Sequence, residues 1–254
     1  EVLQWYPNCT ELHLFEDGSV TSLTNMLGSY NKNCRTRLKY IEFMNGYFNN
    51  LKSLYAGVRD CSKLERINRI PNSINDLSLC FYGCAKFNQQ LDLSGKTKIK
   101  KDKLNNTFFN CSSLTYTPIL PSNYTGNLEK TFSGCKKLTT APVLPDGVTS
   151  LNQTFNGCTE LTTVGNIPSS CNNYNKAFYG CNKLTSVPET GWEGDMGYTF
   201  YNCSKLNQKI IIDSASTLDS TFRGCSSLSI TPTLPQEVNG SMSNCFYSCS
   251  KLVT

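Results

Sequence analysis

Cysteine returns through this chain at steps of 25, 27, 23, 27, 24, 23, 23, 22, 22 and 24 residues, from Cys9 through Cys34, Cys61, Cys84, Cys111, Cys135, Cys158, Cys181, Cys203 and Cys225 to Cys249. A period of this length, held from one end of the chain to the other, describes one small unit copied many times. Such a unit cannot bury its own apolar side chains, but neighbours stacked like upon like can, and the product is an elongated solenoid without a central core. The 254 residues therefore need not be divided into globular domains.

Other columns keep step with the cysteines. Phe81, Phe108, Phe132, Phe155, Phe178, Phe200, Phe222 and Phe246 stand three residues before a repeat cysteine, and Phe87, Leu114, Leu138, Leu161, Leu184, Leu206, Leu228 and Leu252 three after. Four residues before the Phe comes a large apolar residue: Leu77, Leu104, Leu128, Leu151, Tyr174, Met196, Leu218 or Met242. Further along come Leu120, Leu144, Ile167 and Leu234, each followed by the proline of Pro121, Pro145, Pro168 or Pro235, which suits a corner where a strand stops. The three, four, three spacing of Val148, Leu151, Phe155 and Cys158 predicts one apolar face of a short helical segment. The period lies in the leucine-rich-repeat window, so the expected fold is an α/β repeat: a right-handed leucine-rich-repeat solenoid with short parallel strands, one per 22–27-residue repeat.

The organisation expected is a single solenoid over 1–254. Its repeats are irregular over 1–60, where Leu27 to Cys34 and Tyr55 to Cys61 replace the usual Phe-to-Cys gap, and regular over 61–254. Leu252, Val253 and Thr254 stop inside a strand with no polar capping unit, which predicts continuation past Thr254.

Fourteen cysteines raise the alternatives of a disulfide scaffold or a metal protein. Each nonetheless fills a packing slot: Cys171 stands where the preceding unit has Val148, and Cys80 and Cys245 stand just before the Phe, where other units carry Thr107, Thr131, Thr154, Ala177, Thr199 or Thr221. Free cysteine packs as a small hydrophobe. Disulfides between stacked neighbours remain the competing reading, and zinc is poorly served because no Cys-x-x-Cys occurs.

Several function classes find little material. His13 is the only histidine, the carboxylates form no column, and there is no phosphate-cradling glycine loop, so neither catalysis nor a cofactor or metal is expected. The net charge of +5 is modest, and outside the cluster Lys96, Lys98, Lys100, Lys101 and Lys103 the lysines read as scattered, which argues against nucleic acid. No apolar run is long enough to span a membrane, and the chain opens without a signal-like segment, as a mature fragment would.

Binding is what remains, and two outward rows are candidates. After the Leu column come hydroxyl and amide residues, among them Tyr116, Thr140, Thr163 and Ser186, suited to hydrogen-bonding a glycan or a protein backbone. Strand propensity alone also favours threonine there. One residue after the Phe stand Tyr82, Phe109, Tyr179, Tyr201 and Tyr247, aromatic anchors for a partner or simply cover for the neighbouring rung.

The frame Phe-x-Gly-Cys-x-x-Leu-Thr-x-x-Pro, seen from Phe132 to Pro142 and from Phe178 to Pro188, resembles the BspA-type leucine-rich repeats. The resemblance covers about Cys61 to Thr254 well. It implies a secreted or cell-surface protein of a bacterium or parasitic protist, with adhesion to a protein or glycan on another cell or in an assembly. Related repeats in phage surface proteins make a structural or receptor-binding component of a phage or virion appendage the alternative. Oligomeric state and ligand are not implied, since function lives in a site and not in a fold.

Overall fold

The computed structural model describes residues 9–15, 18–27, 32–99 and 101–252. Val253 and Thr254, at the abrupt end noted above, and Lys100 of the lysine cluster lie outside the described residues. Successive units pair in parallel, residue against equivalent residue. Strands β1 (Glu11–Leu14), β2 (Tyr40–Phe43) and β3 (Arg66–Ile67) form one sheet, in register Glu11↔Tyr40↔Arg66. The same strip, just after the Leu column, continues as the bridges Thr140↔Thr163↔Ser186. A second strip precedes the apolar column that stands four residues before the Phe, where β4 (Thr125–Asn127) and β5 (Gly147–Ser150) lead into Ser150↔Asn173↔Asp195↔Thr217. A third lies at the corner before the prolines, with Asp92↔Ile119 and Ile211↔Thr233. Each rung is thus a closed loop of short straight pieces with corners between them.

The helical segment expected in each unit does not form. Among the described residues the one α-helix is α1 (Lys32–Arg37), near the chain start. The run Leu128–Cys135 shows what replaces it. The N–H groups of Thr131, Ser133 and Cys135 bond back to the carbonyls three residues earlier, at 3.0, 3.2 and 3.0 Å. Those of Leu128, Lys130, Phe132 and Gly134 instead cross to Ser150, Asn152, Thr154 and Asn156 of the next rung, at 3.0, 3.1, 3.0 and 2.7 Å. Alternate donors therefore serve a linked series of turns and the stack. Left-handed residues make this geometry: φ is +51° at Lys130 and +75° at Gly134, then +54° at Gln153 and +72° at Gly157. An α-helix accepts no such residues, yet the turn series repeats its apolar contacts at nearly helical spacing, which is why the sequence pattern imitates a helix.

One residue before the apolar column that precedes the Phe by four, a short polar side chain starts most of the turn series, Lys103 being an exception. Asn127, Asn173 and Asp195 accept from the N–H two residues on, at 3.2, 3.1 and 2.9 Å, and the Ser150 hydroxyl does the same at 3.2 Å. These are Asx- and Ser-type turns.

Three ladders run through the interior beside the buried leucines. Phe81, Phe108, Phe132, Phe155, Phe178, Phe200, Phe222 and Phe246 stack nearly parallel with ring centroids 5.4 to 5.7 Å apart. Those from Phe81 to Phe222 are buried, each contributing about 1.5–3 kcal/mol by removal from water. Beside them, each cysteine donates its thiol to the carbonyl of the Phe one rung earlier: Cys135 to Phe108, Cys158 to Phe132 and Cys181 to Phe155, all at 3.1 Å. The third ladder is threonine. The buried hydroxyls of Thr131, Thr154 and Thr221 donate to Leu104, Leu128 and Met196 of the preceding rung at 2.9, 2.8 and 2.9 Å. Each backbone carbonyl so used also accepts its own turn N–H, so side chain and main chain share one acceptor.

The first third is more regular than its sequence indicates. Val58, not Tyr55, stands in the Phe column of the unit headed by Cys61: its N–H bonds to Cys80, and its carbonyl takes the Cys84 thiol at 3.2 Å. The gap of three is therefore kept, with a smaller side chain. Leu27, whose N–H bonds to Gly57, stands in the same column one rung earlier. The longer gap before Cys34 does hold extra chain, part of it α1.

Candidate binding surfaces

The row after the Leu column is continuous where Thr140, Thr163 and Ser186 pair rung to rung, and Tyr116, 53% exposed, takes the equivalent slot one rung earlier. The hydroxyls one residue before this row are consumed by the stack: Thr162 donates to the Thr139 carbonyl at 2.9 Å and Thr185 to Thr162 at 3.2 Å. For that inner column the structural reading of threonine wins. Upstream the row passes to Tyr40 and Arg66, whose guanidinium lies 4.9 Å over the tyrosine ring.

The aromatic column divides in two. Towards the chain start, Arg59 lies 4.6 Å over the Tyr82 ring, which stacks on Phe109 at 4.5 Å. Ser133 and Asn156 then interrupt the column. Beyond them Tyr179 and Tyr201 stack at 4.5 Å with planes 5° apart. Arg223 bridges Tyr201 and Tyr247, its guanidinium 5.6 Å from one ring centroid and 4.7 Å from the other. Tyr179, Tyr201 and Tyr247 are thus brought together, and Tyr82 is not with them. Both arginines escaped the sequence reading, although they fill the aromatic slot of their own rungs.

The lysines are not scattered. Lys63, Lys86, Lys137, Lys183, Lys205 and Lys251 all stand two residues after a repeat cysteine, and all are exposed. Reading along the chain hides this, because the residues are neighbours only across rungs. At the start of the column Arg37, Lys39, Lys63 and Lys86 surround a depression of ≈ 470 Å³ with Thr10, Thr36 and Glu65. A separate apolar groove of ≈ 510 Å³ lies at the proline corners, lined in part by Pro118, Ile119, Pro142 and Val143, the last 82% exposed.

The described cysteines carry free thiols, and burial raises those of the ladder well above their ordinary range. A thiol that donates to a carbonyl from a buried site is a poor nucleophile. His13 donates from Nδ1 to the Glu42 carboxylate at 2.6 Å on an open strand. Among the described residues no three of His, Cys, Asp and Glu are placed to hold a metal ion, and no helix is long and apolar enough to cross a membrane.

With this geometry in view, the comparison with known families is direct. The BspA type leucine rich repeat region matches in six copies, over residues 32–154, 78–191 and 128–253. The chain belongs to this family. No curated protein matches it significantly. Among solved structures, a leucine-rich repeat protein from Bacteroides ovatus is similar at 21% identity over 96% of this chain and 73% of that one, with a TM-score of 0.52, and shares the fold. A leucine rich repeat protein from T. pallidum aligns at 24% identity over 61% of this chain and 71% of its own, with a TM-score of 0.46. A leucine rich cell surface protein from Faecalibacterium prausnitzii aligns at 18% identity over 96% and 80%, with a TM-score of 0.41. The BspA-type frame begins inside the first third, at residue 32, which agrees with the backbone register of Val58.

Proposed function

We propose that this chain is a non-catalytic adhesive module, displayed outside the cell, that engages a partner protein through the aromatic and arginine ladder of its C-terminal half. The observation that carries this reading is the arrangement of Tyr179, Tyr201, Arg223 and Tyr247 as one pre-stacked surface, with Tyr247 58% exposed. Tyrosine and arginine dominate binding hot spots because they offer large amphipathic area with a polar tip. Stacking in the free protein has already restricted their rotamers, so less entropy is lost on binding. Tyr116, Thr140, Thr163 and Ser186 supply a hydrogen-bonding strip on another side of the same rungs, as Ser186 lies seven residues beyond Tyr179. Membership of the BspA-type family supports a place at the cell surface.

The test is attachment of the purified chain to a panel of extracellular matrix proteins and cultured cell surfaces, with Tyr201→Ser/Tyr247→Ser as the variant. Attachment is expected to fall at least tenfold while the melting temperature stays within a few degrees of the parent. Undiminished attachment by a folded variant refutes the reading.

A further inference from the structure

The lysine column begins in a depression whose charge the fold leaves unbalanced. Arg37, Lys39, Lys63 and Lys86 line it together with one carboxylate, Glu65. Among the described residues, none of the four cations is in an ion pair. Like charges gathered around one concavity repel one another and focus a positive potential into it, so the fold gains nothing from the arrangement and an anion gains a great deal. Beyond Ser113 the column resumes at Lys137, is interrupted by Glu160, and runs on through Lys183 and Lys205 past Ser227 to Lys251. At the spacing of paired strands, about 4.8 Å per rung, Lys63 to Lys251 spans about 40 Å.

We infer that this column is a track for a linear sulfated polysaccharide, seated in the depression at its N-terminal end. Its length points to a polymer, because a small anion would be satisfied within the first two rungs. Chemistry of the flanking positions narrows the class. One residue before the lysine column stand Ser62, Asn182 and Ser226, and two residues after it Asn88 and Asn207. Hydroxyl and amide groups of this kind suit the hydroxyls of sugars between sulfates. Neither flanking column contains an aromatic side chain, so nothing there stacks a nucleobase, as a single-stranded nucleic acid requires. The track is weakest in its middle, where Glu160 holds Lys183 at 2.6 Å. This surface is distinct from the tyrosine and arginine ladder, and the inference stands without it.

The experiment titrates a heparin-derived octasaccharide into the full chain, into Lys63→Glu/Lys86→Glu and into Tyr201→Ser/Tyr247→Ser, at two salt concentrations. The native chain is expected to bind and to weaken with salt, the charge-reversed variant to lose at least tenfold, and the tyrosine variant to bind as the native chain does. Lys63→Ala/Lys86→Ala, checked for an unchanged melt and expected to weaken in the same direction, separates lost charge from lost folding. Four results each overturn the inference: no binding at low salt, unchanged affinity in both lysine variants, equal binding of the desulfated octasaccharide or of polyglutamate, or tighter binding of poly(U) RNA. Because the tyrosine variant is the negative control here and the positive one for attachment, either reading can fail without the other.

Discussion

The inward Phe column and the outward column one residue later share every turn of backbone, yet they follow opposite rules. Inside, the same ring recurs from Phe81 to Phe246; outside, the slot holds Arg59, Tyr82, Phe109, Ser133, Asn156, Tyr179, Tyr201, Arg223 and Tyr247. Rung-to-rung hydrogen bonds hold the inner rings 5.4 to 5.7 Å apart, so a smaller side chain leaves a void and a larger one a clash. The outer side chains, exposed or half-buried apart from the small Ser133, carry no such restriction. In a stacked fold, then, a uniform column reports packing, and a column that varies, or that gathers arginine and tyrosine in one stretch, is where recognition can be built.

That contrast can be attacked from the largest effect downwards. Burial raises the interior thiols, with Cys171 pushed up to about 11 and Cys80 to about 12, and the ladder thiols Cys84, Cys135, Cys181 and Cys203 raised well above the ordinary 9.0. The folded state therefore keeps protons that the unfolded chain gives up. This stability is fully present below pH 9 and is lost as pH rises towards the folded values. At pH 10 each such thiol costs on the order of 1 kcal/mol, and several together are comparable with the whole stability of an ordinary domain, about 5–15 kcal/mol. Urea melts at pH 7.5 and pH 10 should show near-complete loss of the folded state at the higher pH; an unchanged midpoint would mean that the thiols are not buried as a ladder.

Next in size, Phe155→Ala in mid-ladder should cost about 3–5 kcal/mol in chemical denaturation, and a cost below about 1 kcal/mol would break the distinction between the columns. Thr154→Val keeps the shape of the side chain but removes its hydrogen bond to the Leu128 carbonyl, for a loss of about 1 kcal/mol. Smallest of all, Tyr201→Ser on the outer column should shift stability by no more than about 0.5 kcal/mol. A loss comparable to that of Phe155→Ala would make the outer stack structural and remove it as a binding surface.

Much of this was legible in the residues. The Phe, Leu and cysteine columns identify the inner face because apolar periodicity follows burial directly. The tyrosines at 82, 179, 201 and 247 were visible for the same reason. Less visible were Val58 in the Phe column, because a conservative change of side chain looks like an insertion when Tyr55 stands nearby, and Arg59 and Arg223, because a cation in an aromatic column reads as an interruption until its guanidinium is seen over the rings. Asn127, Ser150, Asn173 and Asp195 fill one position with three kinds of side chain, and what unites them is a hydrogen bond accepted from the N–H two residues on.

Period and polarity alone show that the chain stacks and, from Phe81 onward, which columns go inside; upstream they misplace the unit headed by Cys61, whose Phe slot is held by Val58. Tertiary structure decided three things that period cannot carry. The segment leading from the apolar residue before the Phe to the cysteine is a series of turns with left-handed residues, not a helix, because its alternate N–H groups find partners on the next rung, outside their own unit. The cysteines are thiol donors to backbone carbonyls one rung back. The lysines two residues after them are one basic column, because residues more than twenty positions apart become neighbours only once the rungs are laid on one another.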